Sequence, residues 1–223
     1  MANKLNIAIA GATGFVGLEI IKKIYAHPSV EIKYLFVKDS IDENIYENLP
    51  KEINKLPKLK KIDLNLINKC DVFFASLPHS ELHKVVNDIS EKVTIIDLSA
   101  DFRLPNSKTY QKWYNTEHKS PNLLNKAVYG LSEIYRDQIK SSDLIACLGC
   151  YPTSILLPLI PLLKTKDIDK IQQEIAHDPE QFQQFLLAYG EHICDALGDE
   201  IDKIEERIKE AVPAAKYVDL EAD

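Results

Sequence analysis

Apolar runs alternate with segments of helical periodicity through most of the chain. Residues 5–10 form a nearly continuous apolar run, and Val16, Ile20, Ile21 and Ile24 then recur at helical spacing. Further strands are predicted at 30–37, 71–78, 93–100 and 143–148, with a second helix at 81–89. Because strands that alternate with helices form parallel sheets, the pattern predicts an α/β fold of the Rossmann type, with a doubly wound, mostly parallel sheet.

The pattern changes after residue 164. From 180 to 212, apolar residues recur every three or four positions, which predicts one long amphipathic helix, weakened by Gly190 and Gly198 and ended by Pro213. Residues 216–223 would then form a short terminal strand. An exposed apolar stripe needs a partner, so we expect this helix to pack on the sheet domain or on a second copy, which would give a homo-oligomer.

Charge divides the chain at the same place. The 223 residues carry a net charge of −7 and are 45% apolar, enough for one large domain or two small ones. Residues 1–164 hold 21 Lys/Arg and 18 Asp/Glu, whereas residues 165–223 hold 6 and 16. We therefore predict a sheet domain over 1–164 and an acidic helical tail over 165–223. The acidic tail argues against a nucleic-acid partner, because phosphates would be repelled.

A glycine-rich turn, "GATGFVG", joins the first strand to the first helix. Glycines at 11, 14 and 17 allow a tight turn and a close approach of the backbone to a pyrophosphate, which the helix N-terminus would also attract. The pattern favours a dinucleotide site, with a ligand-free turn as the alternative. The candidate cofactor residues of the turn are Gly11, Ala12, Thr13, Gly14, Phe15, Val16 and Gly17.

Other candidates follow the remaining strands, at the edge where open parallel sheets bind ligands. Lys38 and Asp39 follow the second strand and point to opposite cofactors: a basic residue suits NADP, and an acidic one suits NAD. Ser76 and Pro78 are predicted to line the cofactor, whereas for the neighbouring His79 a functional role and a plain loop position are both left open.

Arg103 is a candidate anchor for the carboxylate or phosphate of a substrate, since a guanidinium suits both anions. An ion pair with Asp97 or Asp101 is the alternative for this arginine.

Cys150 lies between a strand and an apolar helix whose first turn contains Pro152. A thiol at that point lies at the positive end of the helix dipole, which favours the nucleophilic thiolate. Cys147 and Cys150 form a C-x-x-C pair, but no second pair completes a metal site, so we predict no metal. Few cysteines, no signal peptide and no membrane-spanning apolar run predict a cytoplasmic protein without a membrane partner.

Together these segments resemble N-acetyl-γ-glutamyl-phosphate reductase of arginine biosynthesis. The matching stretches are "GATGFVGLE", "SLPHSE", "IDLSADFRL", "AVYGLSE" and "GCYPTS", from residue 5 to about 163. The resemblance implies that Cys150 attacks a small-molecule acyl phosphate, that NADPH then reduces the thioester, and that NADP rather than NAD is the cofactor.

The chain also departs from that family. Leu148 stands where the family often has proline, and the family's substrate domain with its acid/base histidine is not recognisable after Cys150. The tail, from about 180 to 223, instead resembles the soluble C-terminal end of mitochondrial-type cation diffusion facilitator zinc transporters. We therefore expect a truncated or joined chain with impaired catalysis. The alternative is a non-catalytic dinucleotide-binding module with a self-associating helical tail.

Overall fold

A single parallel sheet organises the part of the chain that the computed structural model describes, residues 4–38 and 44–164. Its seven strands run in the order β3-β2-β1-β4-β5-β7-β6, and each neighbouring pair is parallel. The strands are Leu5–Ala10 (β1), Val30–Val37 (β2), Leu59–Lys61 (β3), Val72–Ala75 (β4), Thr94–Asp97 (β5), Val128–Tyr129 (β6) and Leu144–Ala146 (β7).

Helices connect these strands. They are Phe15–Ile24 (α1), Leu64–Ile67 (α2), Leu82–Val85 (α3), Ser107–Tyr114 (α4), Pro121–Leu124 (α5), Ser132–Lys140 (α6) and Cys150–Lys164 (α7). Two 3-10 helices, Ile45–Asn48 and Val86–Asp88, complete the described part. The predicted Rossmann-type sheet is confirmed.

Both faces of the central strands are buried, which explains their continuous apolar runs. In β1, Ala8 and Ala10 belong to the core on one face, while Ile7 and Ile9 belong to the core on the other. The same alternation continues in β4, where Phe73 lies in the first of these cores. The sheet is thus covered on both sides, as a doubly wound fold requires.

The direction of winding reverses between β1 and β4. From β1 the chain proceeds outward through β2 and β3, and from β4 it proceeds the other way through β5 and β7. Open parallel sheets bind ligands at such a switch point, outside the carboxyl ends of the strands. The ends of β1 and β4 are therefore where a ligand site is expected.

Some elements differ from the expectation. The helix predicted over 81–89 is divided into α3 and the 3-10 turn Val86–Asp88, an arrangement that buries Leu82, Val86 and Ile89 in one core. The predicted third strand, 71–78, is the fourth, because β3 precedes it, and its regular part is confined to Val72–Ala75.

The predicted helix over 180–212, the terminal strand over 216–223 and the division near residue 165 concern residues outside the described ranges. They stay predictions. Within the described ranges, no helix combines the length and the apolar character needed to cross a membrane.

Candidate functional site

The glycine turn between β1 and α1 has a shape that side chains would destroy. Gly11 has φ +70°, and a Cβ placed on it would lie 2.0 Å from the carbonyl oxygen of Ser76. A Cβ on Gly17 would lie 2.1 Å from the carbonyl oxygen of Gly11. Gly11 therefore allows the end of β1 to touch the segment after β4, and Gly17 allows α1 to pack against the turn.

The first turn of α1 presents its backbone beside Gly14. Gly14 precedes α1 as its N-cap and supplies no side-chain cap, and its carbonyl oxygen accepts the amide proton of Leu18 at 2.9 Å. The amides at the start of a helix have no partner within the helix, so those of Phe15 and Val16 are available to an anion.

A cavity of about 380 Å³ lies over this turn. Its lining consists of Gly11, Thr13, Gly14, Phe15, Val16, Val37, Lys38, Ser76 and Pro78. The structure thus brings together eight of the predicted cofactor residues, and the other two, Ala12 and Gly17, are buried behind them. The residues fit a dinucleotide, because the two positions where a Cβ would close the turn are both glycine.

Arg103 is held by backbone carbonyl groups. Its Nε donates to the Cys147 oxygen at 2.7 Å, and its Nη2 donates to the Leu98 oxygen at 3.0 Å. No ion pair with Asp97 or Asp101 is formed among the described residues, so the ion-pair alternative is wrong there. Arg103 instead ties the segment after β5 to the segment after β7.

The same guanidinium borders the segment that carries the predicted nucleophile. Its Nη1 lies 3.3 Å from the place that a Cβ of Gly149 would occupy. Glycine at this position therefore lets a cationic group lie directly beside the residue that precedes Cys150.

Cys150 is the first residue of α7 and is exposed to solvent. The backbone before it is fixed by Thr153, whose amide and hydroxyl groups both donate to the Gly149 oxygen, at 3.2 and 2.9 Å. An accessible thiol at the start of a helix, after the end of a parallel strand, is suited to attack a bound electrophile.

Cys147 is a different kind of thiol. Burial, together with the negative charge of Asp97, raises the pKa of Cys147 and keeps its sulfur protonated. Both cysteines are free thiols. The two members of the C-x-x-C pair therefore have different environments, and the exposed one is the candidate nucleophile.

A buried carboxylate, Asp101, organises the loop after β4, a role that the sequence did not predict. Its oxygens accept the amide protons of Ser80 at 2.8 Å and His83 at 3.1 Å and the phenolic proton of Tyr110 at 3.1 Å. His79 approaches the same carboxylate, with Nδ1 3.3 Å from Oδ1. Asp101 lies within the stretch "IDLSADFRL", but Ser80 and His83 lie 21 and 18 residues before it and Tyr110 lies 9 residues after it.

Asp97, at the end of β5, is a second buried carboxyl group. Its Oδ1 accepts the amide proton of Ser99 at 2.8 Å, and its backbone oxygen accepts that of Cys147 at 2.7 Å. Burial raises the pKa of Asp97 from 3.8 to about 6. Through these two bonds Asp97 contacts both the segment after β5, which carries Arg103, and the segment after β7, which carries Cys147.

Comparisons with known proteins concern the sequence and the fold of the chain. The family model described as "Semialdehyde dehydrogenase, NAD binding domain" matches residues 6–142. The chain is 43% identical over 169 residues to an N-acetyl-gamma-glutamyl-phosphate reductase of Ehrlichia chaffeensis, covering 74% of this chain and 48% of that protein. It is 42% identical over 171 residues to a protein of the same name from Campylobacter jejuni, again covering 74% and 48%.

A solved structure shows the same fold. Aspartate semialdehyde dehydrogenase II from Vibrio cholerae is 18% identical, with a TM-score of 0.51, over 73% of this chain and 43% of that one. The chain thus spans about half the length of the curated relatives that it matches. The likeness of the tail to zinc transporters stays a prediction from the sequence.

Proposed function

We propose that this chain, which belongs to the semialdehyde dehydrogenase NAD-binding domain family, acts in the NADP-dependent reduction of N-acetyl-γ-glutamyl phosphate to the semialdehyde. The observation that carries the proposal is that two features lie beyond the carboxyl ends of strands of the same parallel sheet. A glycine turn that fits a dinucleotide follows β1, and the exposed thiol of Cys150 follows β7.

The residues of the chain define the covalent half of the reaction. The thiolate of Cys150 attacks the acyl carbon, the bond from that carbon to the phosphate oxygen breaks, and inorganic phosphate leaves with its electron pair. The product is a thioester on Cys150. A reduced nicotinamide bound at the glycine turn would supply the hydride for the thioester carbonyl, and Cys150 would leave the aldehyde carbon as its thiolate.

Arg103 supports this step in two ways. Its hydrogen bonds to the Cys147 and Leu98 oxygens tie the segment before the nucleophile to the segment after β5. Its Nη1 lies beside Gly149, so a phosphate that leaves the acyl group on the adjacent Cys150 would be near a positive charge. A fixed cation at that position stabilises the developing negative charge without having to reorganise.

Lys38 supports NADP over NAD in this proposal. It is exposed at the end of β2 and lines the cavity over the glycine turn, where a cation would attract the additional phosphate of NADP. Asp39, the residue that favours NAD, lies outside the described residues. Parallel titrations with NADPH and NADH measure the preference directly, and a Lys38→Met variant should lose it.

The test is the reverse reaction. Purified protein is given N-acetylglutamate semialdehyde, NADP⁺ and phosphate, and formation of NADPH is followed. Cys150→Ser should abolish the activity, and Cys147→Ser, the matched control at the neighbouring thiol, should retain it. Mass spectrometry of the protein mixed with the acyl phosphate alone should show the acyl group on Cys150.

Two results would count against the proposed enzymatic function. NADP(H) binding without acyl transfer or turnover would favour the alternative, a non-catalytic dinucleotide-binding module. Absence of both binding and turnover would remove the dinucleotide function as well.

A further inference from the structure

His79 contacts three side chains, those of Asp101, Tyr110 and Tyr114. Its Nδ1 lies 3.3 Å from Oδ1 of Asp101 and 3.5 Å from the hydroxyl of Tyr110. Its ring packs on that of Tyr114, with 4.3 Å between the centroids. Imidazole rings that are oriented by a carboxylate through one nitrogen commonly use the other nitrogen for a ligand or a proton.

The carboxylate that orients His79 is itself immobilised. The Asp101 side chain is 0% exposed, and it accepts the amide protons of Ser80 and His83 as well as the Tyr110 hydroxyl proton. Ser80 takes up a left-handed conformation, with φ +67°, directly after His79. This conformation is uncommon for a residue with a side chain, and here it delivers the Ser80 amide to Asp101.

The outer side of the imidazole remains accessible. The side chain of His79 is 36% exposed, although the carboxylate that it contacts is fully buried. Among the described residues, the contacts of His79 with Asp101 and Tyr110 both involve Nδ1. Nε2 is therefore the nitrogen left for a molecule bound at the surface.

The topology places His79 between the two halves of the proposed site. His79 follows Pro78, which lines the cavity over the glycine turn. The preceding strand, β4, lies between β1, which leads to that turn, and β5, which leads to Arg103. A dinucleotide with its pyrophosphate at Gly11 and its reactive ring directed to Cys150 must pass over the end of β4.

We infer that His79 is a ligand-binding residue whose Nε2 hydrogen-bonds the nicotinamide half of the bound dinucleotide, while Asp101 acts as its positioning residue. This inference rests on the proposed function, because it requires a dinucleotide at the glycine turn. It assigns a task to a residue of the "SLPHSE" stretch that the sequence left without one.

The test compares two probes that share the adenine half. NADPH contains the nicotinamide half, whereas 2′,5′-ADP does not. In calorimetric titrations, His79→Leu should weaken NADPH binding about 3- to 10-fold, the value of one hydrogen bond, and should leave 2′,5′-ADP binding within about 2-fold. Tyr114→Leu, which removes the ring beside His79, should show the same selectivity with a smaller loss.

His27→Leu is the matched control. His27 is an exposed histidine in the turn before β2, at the opposite edge of the sheet, and its replacement should change neither affinity. Retained 2′,5′-ADP binding also shows that the His79 variant is folded. As a second readout, the imidazole proton resonances of His79, assigned by their loss in the variant, should move on addition of NADPH and stay in place with 2′,5′-ADP.

The outcomes are separable. Unchanged NADPH affinity in His79→Leu, or an equal loss for both probes, would overturn the inference while leaving dinucleotide binding intact. Failure of the unmodified chain to bind either probe would overturn the proposed function, and this inference with it.

Discussion

At the carboxyl edge of the sheet, backbone contacts shape the region around β1 and β4, whereas polar side chains hold together the region around β5 and β7. Around β1 and β4 the close approach of backbone segments sets the shape of the turn, since a Cβ on Gly11 or Gly17 would overlap backbone atoms. Around β5 and β7 polar side chains hold the segments together, since Arg103 joins two of them and Asp97 is buried beside them. Changes in the first half should therefore act through steric overlap, and changes in the second through polar groups that lose their partners.

The largest effect is expected at the glycine turn. Gly11→Ala should lower the free energy of unfolding by about 4 kcal/mol, because a side chain at positive φ is strained and its overlap with Ser76 forces the backbone apart. The same variant should lose dinucleotide binding. Urea denaturation and calorimetric titration with NADPH measure the two effects.

Gly14→Ala is the control for that substitution. A Cβ on Gly14 would have its nearest contact at 3.4 Å, so we expect a loss of about 1 kcal/mol or less. Equal losses in the two variants would show that the turn is not held by the close approach of Gly11 to Ser76.

The second prediction concerns the pH dependence of stability on the other half. The pKa of Asp97 is raised from 3.8 to about 6, so the folded protein binds a proton there that the unfolded chain releases. The stabilisation from this group is complete below pH 3.8 and is lost as the pH rises through 6. The free energy of unfolding of Asp97→Asn should therefore exceed that of the unmodified chain, by a difference that grows from near zero at pH 4 to about 3 kcal/mol at pH 7.

Unfolding free energies of both proteins at several pH values measure this difference. Burial lowers the pKa values of His83 and His118, so their contribution has the opposite sign and is lost as the pH falls below their ordinary value of about 6.5. Both proteins contain these histidines, so their effect cancels in the comparison. A difference that stays constant with pH would contradict the elevated pKa of Asp97.

The contrast between the two halves also explains what the sequence could predict. The strand predicted over 30–37 agrees with Val30–Val37, because long apolar runs report burial directly. The short strands Leu59–Lys61 and Val128–Tyr129 carry no such signal and are recognised only by their parallel pairing with β2 and β7. The glycine turn could also be predicted, because the glycines that it requires lie close together in the sequence.

The side-chain half of the site could be predicted only in its parts. Cys150 and Arg103 were recognisable from their neighbours, but the oxygens that hold Arg103 belong to Leu98 and Cys147, 44 residues away in the second case. The Asp101 cluster joins His79 and Tyr110 through tertiary folding. No periodicity in one sequence records such pairings, since each residue type is common on surfaces.

A third, smaller effect is expected for the arginine that joins the two segments. Arg103→Met should cost about 2 kcal/mol, because the Cys147 and Leu98 oxygens lose a charged donor while most of the apolar stem is kept. Hydrogen exchange of the amides from 147 to 149 should become faster. Arg136→Met, on an exposed position of α6, is the control and should change neither quantity.

The smallest effect is expected at Tyr110, whose ring is fully buried while its hydroxyl donates to Asp101. Burial raises the pKa of Tyr110, so the hydroxyl keeps its proton under ordinary conditions and remains a donor. Tyr110→Phe keeps the ring packing and removes the bond to Asp101, together with the longer contacts of the hydroxyl with His79 and Ser80, which should cost about 1 kcal/mol in urea denaturation. Tyr25→Phe removes an exposed hydroxyl whose bond to Asn54 is 3.5 Å long, and it should cost less. Equal costs would mean that the Asp101 cluster is no more rigid than the surface, and that His79 is not firmly oriented by it.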